Sequence, residues 1–233
     1  MFSNIFGNLN WSVLTDILTS VIPALICITL HELAHGLTAY ALGDRTAKEM
    51  GRLTLNPIKH IDAFGLLMMV VFKFGWAKPV PVNMYNFKKP KWGMAITAIA
   101  GPLLNVVLAA VVMFFYGLFL GSVVGMEPGG VIEFVDKIFY ITAYLSVALA
   151  IFNLIPIPPL DGSKVLFSLL PERAYDKLMR YERYGMILLI IFINIDAFLN
   201  TTIFSGTVGR LTESLFGTLF NVAIASYRLV VGG

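Results

Sequence analysis

Apolar stretches long enough to cross a bilayer recur along this chain, and a bilayer core about 30 Å thick asks for about 20 such residues per helix. The first covers residues 11–42, the second 94–120, the third 134–155 and the fourth 184–199. A fifth, 211–231, is apolar but carries Glu213, Asn221 and Arg228, so it reads either as a further span or as a helix at the membrane surface. Only 13% of the 233 residues are charged while 58% are hydrophobic. Soluble domains carry about 25% charged residues. A soluble fold built from this chain would have to turn Leu and Phe side chains to water over much of its surface. The expectation is an all-α polytopic membrane protein with four to six transmembrane helices in a single domain over residues 1–233, which excludes a cytosolic enzyme or a disordered regulator.

Charge placement sets the orientation, because cytoplasmic loops are enriched in Lys and Arg. Nothing before Arg45 is basic, and Arg45, Lys48, Arg52 and Lys59 then follow, so the first span ends in the cytoplasm. Lys88, Lys89 and Lys91 put the start of the second span on that side, and residues 121–130, which lack Lys and Arg, belong outside. Lys164, Arg173, Lys177, Arg180 and Arg183 bring the chain back inside. No basic leader precedes the first span, which is expected to act as its own targeting signal. A net charge of +3 without a basic run gives no footing for nucleic acid.

Residues 62–82 do not fit the alternation. Their apolar run, 64–72, is too short to cross as a helix, and Lys59, Lys73 and Lys78 give both ends cytoplasmic character. Lys78-Pro79-Val80-Pro81-Val82 excludes helix. The segment reads as a re-entrant, partly extended hairpin, and irregular backbone survives at membrane depth only where it is buried in protein or lines a wet cavity.

The first span contains His31-Glu32-Leu33-Ala34-His35. Four residues turn a helix by about 400°, so both imidazoles share a face one turn apart. This spacing can chelate one zinc ion, with Glu32 beside it to take a proton from water. A carboxylate inside an apolar helix costs several kcal/mol unless compensated, so the alternative, a polar cluster satisfied by neighbouring helices, is the weaker reading. Zinc needs a third protein ligand, and Asp161 stands out at the end of the third span, where Pro156, Pro158 and Pro159 unwind the helix. Both motifs fall at cytoplasmic ends. His35 is seven residues from the end of its span, which places the metal roughly 10 Å deep.

These motifs, in this order and on these spans, resemble the site-2 protease family of intramembrane zinc metalloproteases, in its short prokaryotic form. Gly51-Arg52-Leu53-Thr54-Leu55-Asn56-Pro57, Trp76-Ala77-Lys78-Pro79-Val80-Pro81-Val82-Asn83 and Gly101-Pro102-Leu103-Leu104-Asn105 are similar to it as well. The resemblance implies that His31, His35 and Asp161 bind one zinc ion and that Glu32 is the general base. It further implies that Asn153 holds the substrate backbone or the developing oxyanion, with Asn105 also at the site. Substrates would be transmembrane proteins or peptides, and the enzyme a multi-pass protein of a prokaryotic cell membrane with its active site toward the cytoplasm. Asp62-Ala63 and Met84 depart from the family pattern in local turns only, and the chain has room for neither a PDZ domain nor a CBS pair.

Other residues read more plainly. Cys27, one turn before His31, is a small buried hydrophobe that rules out an internal disulfide. His60 is a solvated loop histidine, and Asp16 and Asp196 are carboxylates near outer helix ends. Gly117, Gly121 and Gly125 are spaced for close helix packing. A zinc transporter or a catalytically silent scaffold could carry the same ligands. A transporter should show ionisable residues through several spans or paired half-helices, and the polar residues here gather on one side.

Overall fold

The computed structural model describes residues 11–65, 76–127 and 129–232. Helix α1, Trp11–Ala41, is one uninterrupted element that carries the histidine pair. It ends at Gly43, whose φ of +109° is open to glycine but strained for other residues. A short helix, α2 (Thr46–Glu49), and a 3-10 turn, Pro57–His60, follow. Helix α3 is Pro90–Ser122, with Pro90 where a first-turn N–H would have no partner, and α4 is Gly130–Asn153. The chain then breaks into short helices: α5 (Asp161–Ser168), α6 (Glu172–Tyr181), α7 (Gly185–Ile193) and α8 (Ile195–Leu199). It closes with α9, Ile203–Val231.

Among the described residues, four helices are long and apolar enough to cross a membrane: Leu14–Ala41, Pro90–Ser122, Gly130–Asn153 and Ile203–Val231. The last is the stretch whose polar residues left its course open. Its helix turns Thr212, Phe216, Ala223 and Ser226 inward and leaves Glu213 and Asn221 exposed. The stretch at 184–199 is built from two short helices joined at Asn194, whose amide donates to Ile190 O at 2.8 Å, and it stops at Asn200 in the left-handed region.

Helix α3 is central and packs against α1, α4, α5 and α9. Ala109, Met113, Tyr116, Ala143, Val147, Phe216 and Ala223 form the core where α3, α4 and α9 meet. Gly117 makes that meeting possible, because a Cβ there would lie 2.0 Å from Ala223 O. Large apolar side chains point the other way, among them Leu103, Phe115 and Ile187, each more than half exposed. That inversion suits lipid, which accepts such side chains without cost. Asp16 is exposed and pairs with Lys137 at 3.7 Å. Asp196 caps α9, accepting from Phe204 N, Ser205 N and Thr201 Oγ1 at 2.7–3.0 Å.

Of the hairpin expected at 62–82, residues 66–75 lie outside the described residues, and with them most of the apolar run 64–72. Its neck is described: Ile61 and Ala77 form an antiparallel bridge, and Lys78 N donates to His60 O at 2.9 Å. His60 is not solvated. It is 1% exposed, and its Nε2 donates to Thr54 O at 2.9 Å, so the ring ties the loop to itself.

Asp44, immediately after α1, is fully buried and holds the far end of this region. Its carboxylate accepts from Thr46 N, Thr46 Oγ1, Asn83 N and Asn86 Nδ2 at 2.5–3.0 Å. Burial pushes this carboxyl up, and the hydrogen bonds from Thr46, Asn86 and Asn83 outweigh it, holding the group below the usual carboxylate range. Asp44→Asn is expected to cost about 2 kcal/mol in denaturant titrations of the detergent-solubilised protein. A depressed folded-state pKa stabilises above the unfolded value of about 3.9 and stops doing so as pH falls through the folded value. The difference between wild type and Asp44→Asn should therefore be full at neutral pH and close in acid.

Candidate metal centre

His31 and His35 stand one turn apart on the face of α1 that meets α3, and both are buried. They fit because residue 101 is glycine: a Cβ there would lie 2.5 Å from His35 Nε2 and 2.7 Å from His31 Cε1. His35 Nδ1 lies 2.7 Å from Thr97 O. A carbonyl only accepts, so Nδ1 carries the proton and Nε2 presents its lone pair. That nitrogen is 3.0 Å from His31 Nε2, and both are 3.1 Å from Asp161 Oδ2.

Asp161 reaches the pair because α4 ends before Pro156, Pro158 and Pro159 and the chain turns back into α5. The turn requires glycine at 162, where a Cβ would lie 2.2 Å from Leu154 O. The other carboxylate oxygen, Oδ1, is 3.9 Å from Lys164 Nζ, itself 3.6 Å from Glu182.

The three converging atoms test whether the site suits a metal. A proton on His31 could satisfy one contact at a time, leaving the others acceptor against acceptor. A divalent ion satisfies all three. His31, His35 and Asp161 are the group of potential ligands found among the described residues, their donor atoms lying within 4.8 Å of one another. Two imidazole nitrogens and one carboxylate oxygen suit zinc and leave a fourth position open.

A cavity of about 300 Å³ adjoins the three, lined also by Glu32, Val80 and Asn153. Glu32 accepts from Val80 N at 2.8 Å. One turn on, Gly36 leaves room for Val80, since a Cβ there would lie 3.1 Å from the Val80 side chain and 2.5 Å from Leu53. Asn153 is half-buried at the end of α4, its amide donating to Leu149 O at 3.0 Å. Asn105 lies apart from the cavity lining. It is fully buried, neither amide atom has a partner among the described residues, and its backbone carbonyl accepts from Ser146 Oγ. Cys27 is buried, its Sγ 3.5 Å from Thr142 O.

Sequence reasoning passed over Thr97, Gly36, Lys164 and Glu182. Thr97 had a findable signal, since it stands four residues before Gly101 and shares its face of α3. Gly101→Ala should push the imidazoles apart. Zinc affinity, measured by competition with a chromophoric chelator, is expected to fall at least tenfold while the helical content of the solubilised protein holds.

The family model described as Peptidase family M50 matches residues 19–126 and 117–195. YwhC of Bacillus subtilis, which is named as a zinc metalloprotease, is 44% identical over 175 residues, 74% of this chain and 79% of its own. Rip2 of Mycobacterium tuberculosis, similarly named, is 26% identical over 216 residues, 90% of this chain and 75% of its own. MJ0611 of Methanocaldococcus jannaschii, again so named, is 33% identical over 103 residues, covering 44% and 48%. No solved structure matches the chain. The family match takes in most of the sequence, both histidines and the aspartate included, and the chain belongs to peptidase family M50, the site-2 protease family, as a multi-pass membrane zinc metalloprotease.

Proposed function

We propose that this protein hydrolyses peptide bonds within or beside transmembrane segments of other membrane proteins, working as one membrane-embedded domain with its active site toward the cytoplasmic side of a prokaryotic cell membrane. The observation that carries this reading is the convergence of His31, His35 and Asp161 on one point beside a cavity set among helices long enough to span a bilayer. The basic residues that follow α1 and precede α3 support the cytoplasmic placement.

In this reading His31, His35 and Asp161 hold the ion. Zinc bound there supplies Lewis acidity, both to acidify a water and to polarise the scissile carbonyl. Glu32 takes the proton from the attacking water and returns it to the leaving nitrogen. Asn153, at the cavity wall, offers its amide to the substrate backbone or the oxyanion. Thr97 O fixes the tautomer of His35, as the outer partners of metal-binding histidines do. Asn105, one turn beyond Gly101, is buried with neither amide atom hydrogen-bonded among the described residues, so its place at the site rests on the family resemblance alone. A transmembrane helix has its carbonyls bonded internally, so a substrate must unwind before it is cut, and in this reading the unwound strand regains backbone hydrogen bonds along residues 78–82.

Glu32→Gln in the solubilised, zinc-loaded enzyme is the direct experiment. Cleavage of a membrane-embedded substrate is expected to fall at least about 10²-fold, the usual contribution of general-base catalysis, with zinc content unchanged. Turnover near the wild-type rate would remove Glu32 from the role of base.

A further inference from the structure

Residues 78–83 lie across α1 as a strap over Glu32. Lys78 and Val80 each precede a proline, which biases both toward extended backbone, and Asn83 is extended at φ −106°, ψ 103°. The strap is pinned on both sides by the loop that follows α1. Arg52, buried, gives Nη2 hydrogens to Lys78 O at 2.9 Å and Pro79 O at 3.3 Å. Asp44 holds Asn83 N at 2.7 Å. Lys78 N is spent on His60 O. Pro79 and Pro81 have no N–H. Of the three central residues Val80 alone carries a donor, and that donor is given to the carboxylate of Glu32 at 2.8 Å.

The same atom pair therefore lies on two paths. An extended peptide joining this edge needs a backbone N–H for its carbonyl, and the base needs a free carboxylate. We infer that Glu32 occupies the substrate's docking donor in the resting enzyme, so that a substrate carbonyl taking Val80 N–H displaces the carboxylate and releases it toward the water it deprotonates. Arg52 is then a positioning residue: by fixing the carbonyls of Lys78 and Pro79, it aims Val80 N–H at the cavity. The latch reads the state of the substrate backbone. A helical segment has its carbonyls engaged and leaves Glu32 in place, whereas an unwound one opens the latch. This rests on the protease reading above and adds to it a reason for selecting extended backbone.

The test compares two variants without the base, so cleavage does not interfere. Glu32→Gln keeps an oxygen that accepts from Val80 N–H, and Glu32→Ala keeps none. The probe is a fluorescein-labelled leucine-rich transmembrane peptide with an Asn-Ala-Gly-Ser centre, titrated into zinc-loaded full-length protein in detergent micelles. Glu32→Ala is expected to bind it about fivefold to tenfold more tightly than Glu32→Gln, the worth of one hydrogen bond no longer broken on docking. A version of the peptide locked helical by α-aminoisobutyrate should not separate the two variants. Equal affinities for the first peptide would overturn the latch. If Glu32→Ala does not fold, Val80→Pro, which deletes the donor, is compared with Val80→Ala, which keeps it. Probe binding should fall only in the proline variant, and equal binding would overturn the proposal. Arg52→Ala is expected to weaken probe binding with zinc content unchanged. Cleavage of the same peptide by the wild-type enzyme is scored separately: an uncut peptide counts against the protease reading, while the affinity ratio alone decides the latch.

Discussion

The close approach of α1 to α3 at Gly101 is the contact on which the centre depends. Two imidazoles are wide, and a helix with an ordinary side chain at this point would keep them from α3 altogether. Once they are seated, Thr97 O accepts the His35 Nδ1 hydrogen and leaves Nε2 free to face Asp161, so the packing of two helices also sets the tautomer of His35. Asp161 completes the group by the same economy, through a glycine at 162 that lets the start of α5 press against the end of α4. Three separate segments meet within a few ångströms because small residues stand where backbones must touch.

A second organisation lies on the opposite face of Glu32. The loop leaving α1 returns through Asp44 and Arg52 to fasten a strap over the helix it has just left. The glutamate and its backbone partner are thus carried by one local unit, while the histidines look toward α3 and α5. Glu32 and the histidine pair share a helix but are supported by different neighbours.

Much of this could be read from the residues. The histidine spacing fixes a shared face of a helix, and a carboxylate amid apolar residues demands a reason, so His31, Glu32 and His35 announced themselves. Prolines around Asp161 marked the end of a span, whereas most of the segment between the flanking lysines lies outside the described residues and only its neck, the Ile61–Ala77 bridge, is described. The structural roles of Asp44 and Arg52 were hidden because the strap residues they hold, Asn83 and Lys78, are 39 and 26 residues away, and a buried charge in a loop looks like a solvated one until its partners are known. His60 misled for that reason: its neighbours are polar, yet a carbonyl six residues earlier accepts its N–H and the ring is enclosed. The course of 211–231 was undecided because hydropathy ignores direction. In the helix, Glu213 and Asn221 lie outside the face that packs on the bundle.

The pairing of Lys164 with Glu182 beside Asp161 has an electrostatic consequence. Lys164 is shared with Glu182, so the carboxylate of Asp161 is left to the histidine pair and a cation among them, in an interior where an uncompensated ion is expensive. Ion uptake and the integrity of the bundle are therefore coupled, since a divalent cation there compensates a buried charge that Lys164 only shares.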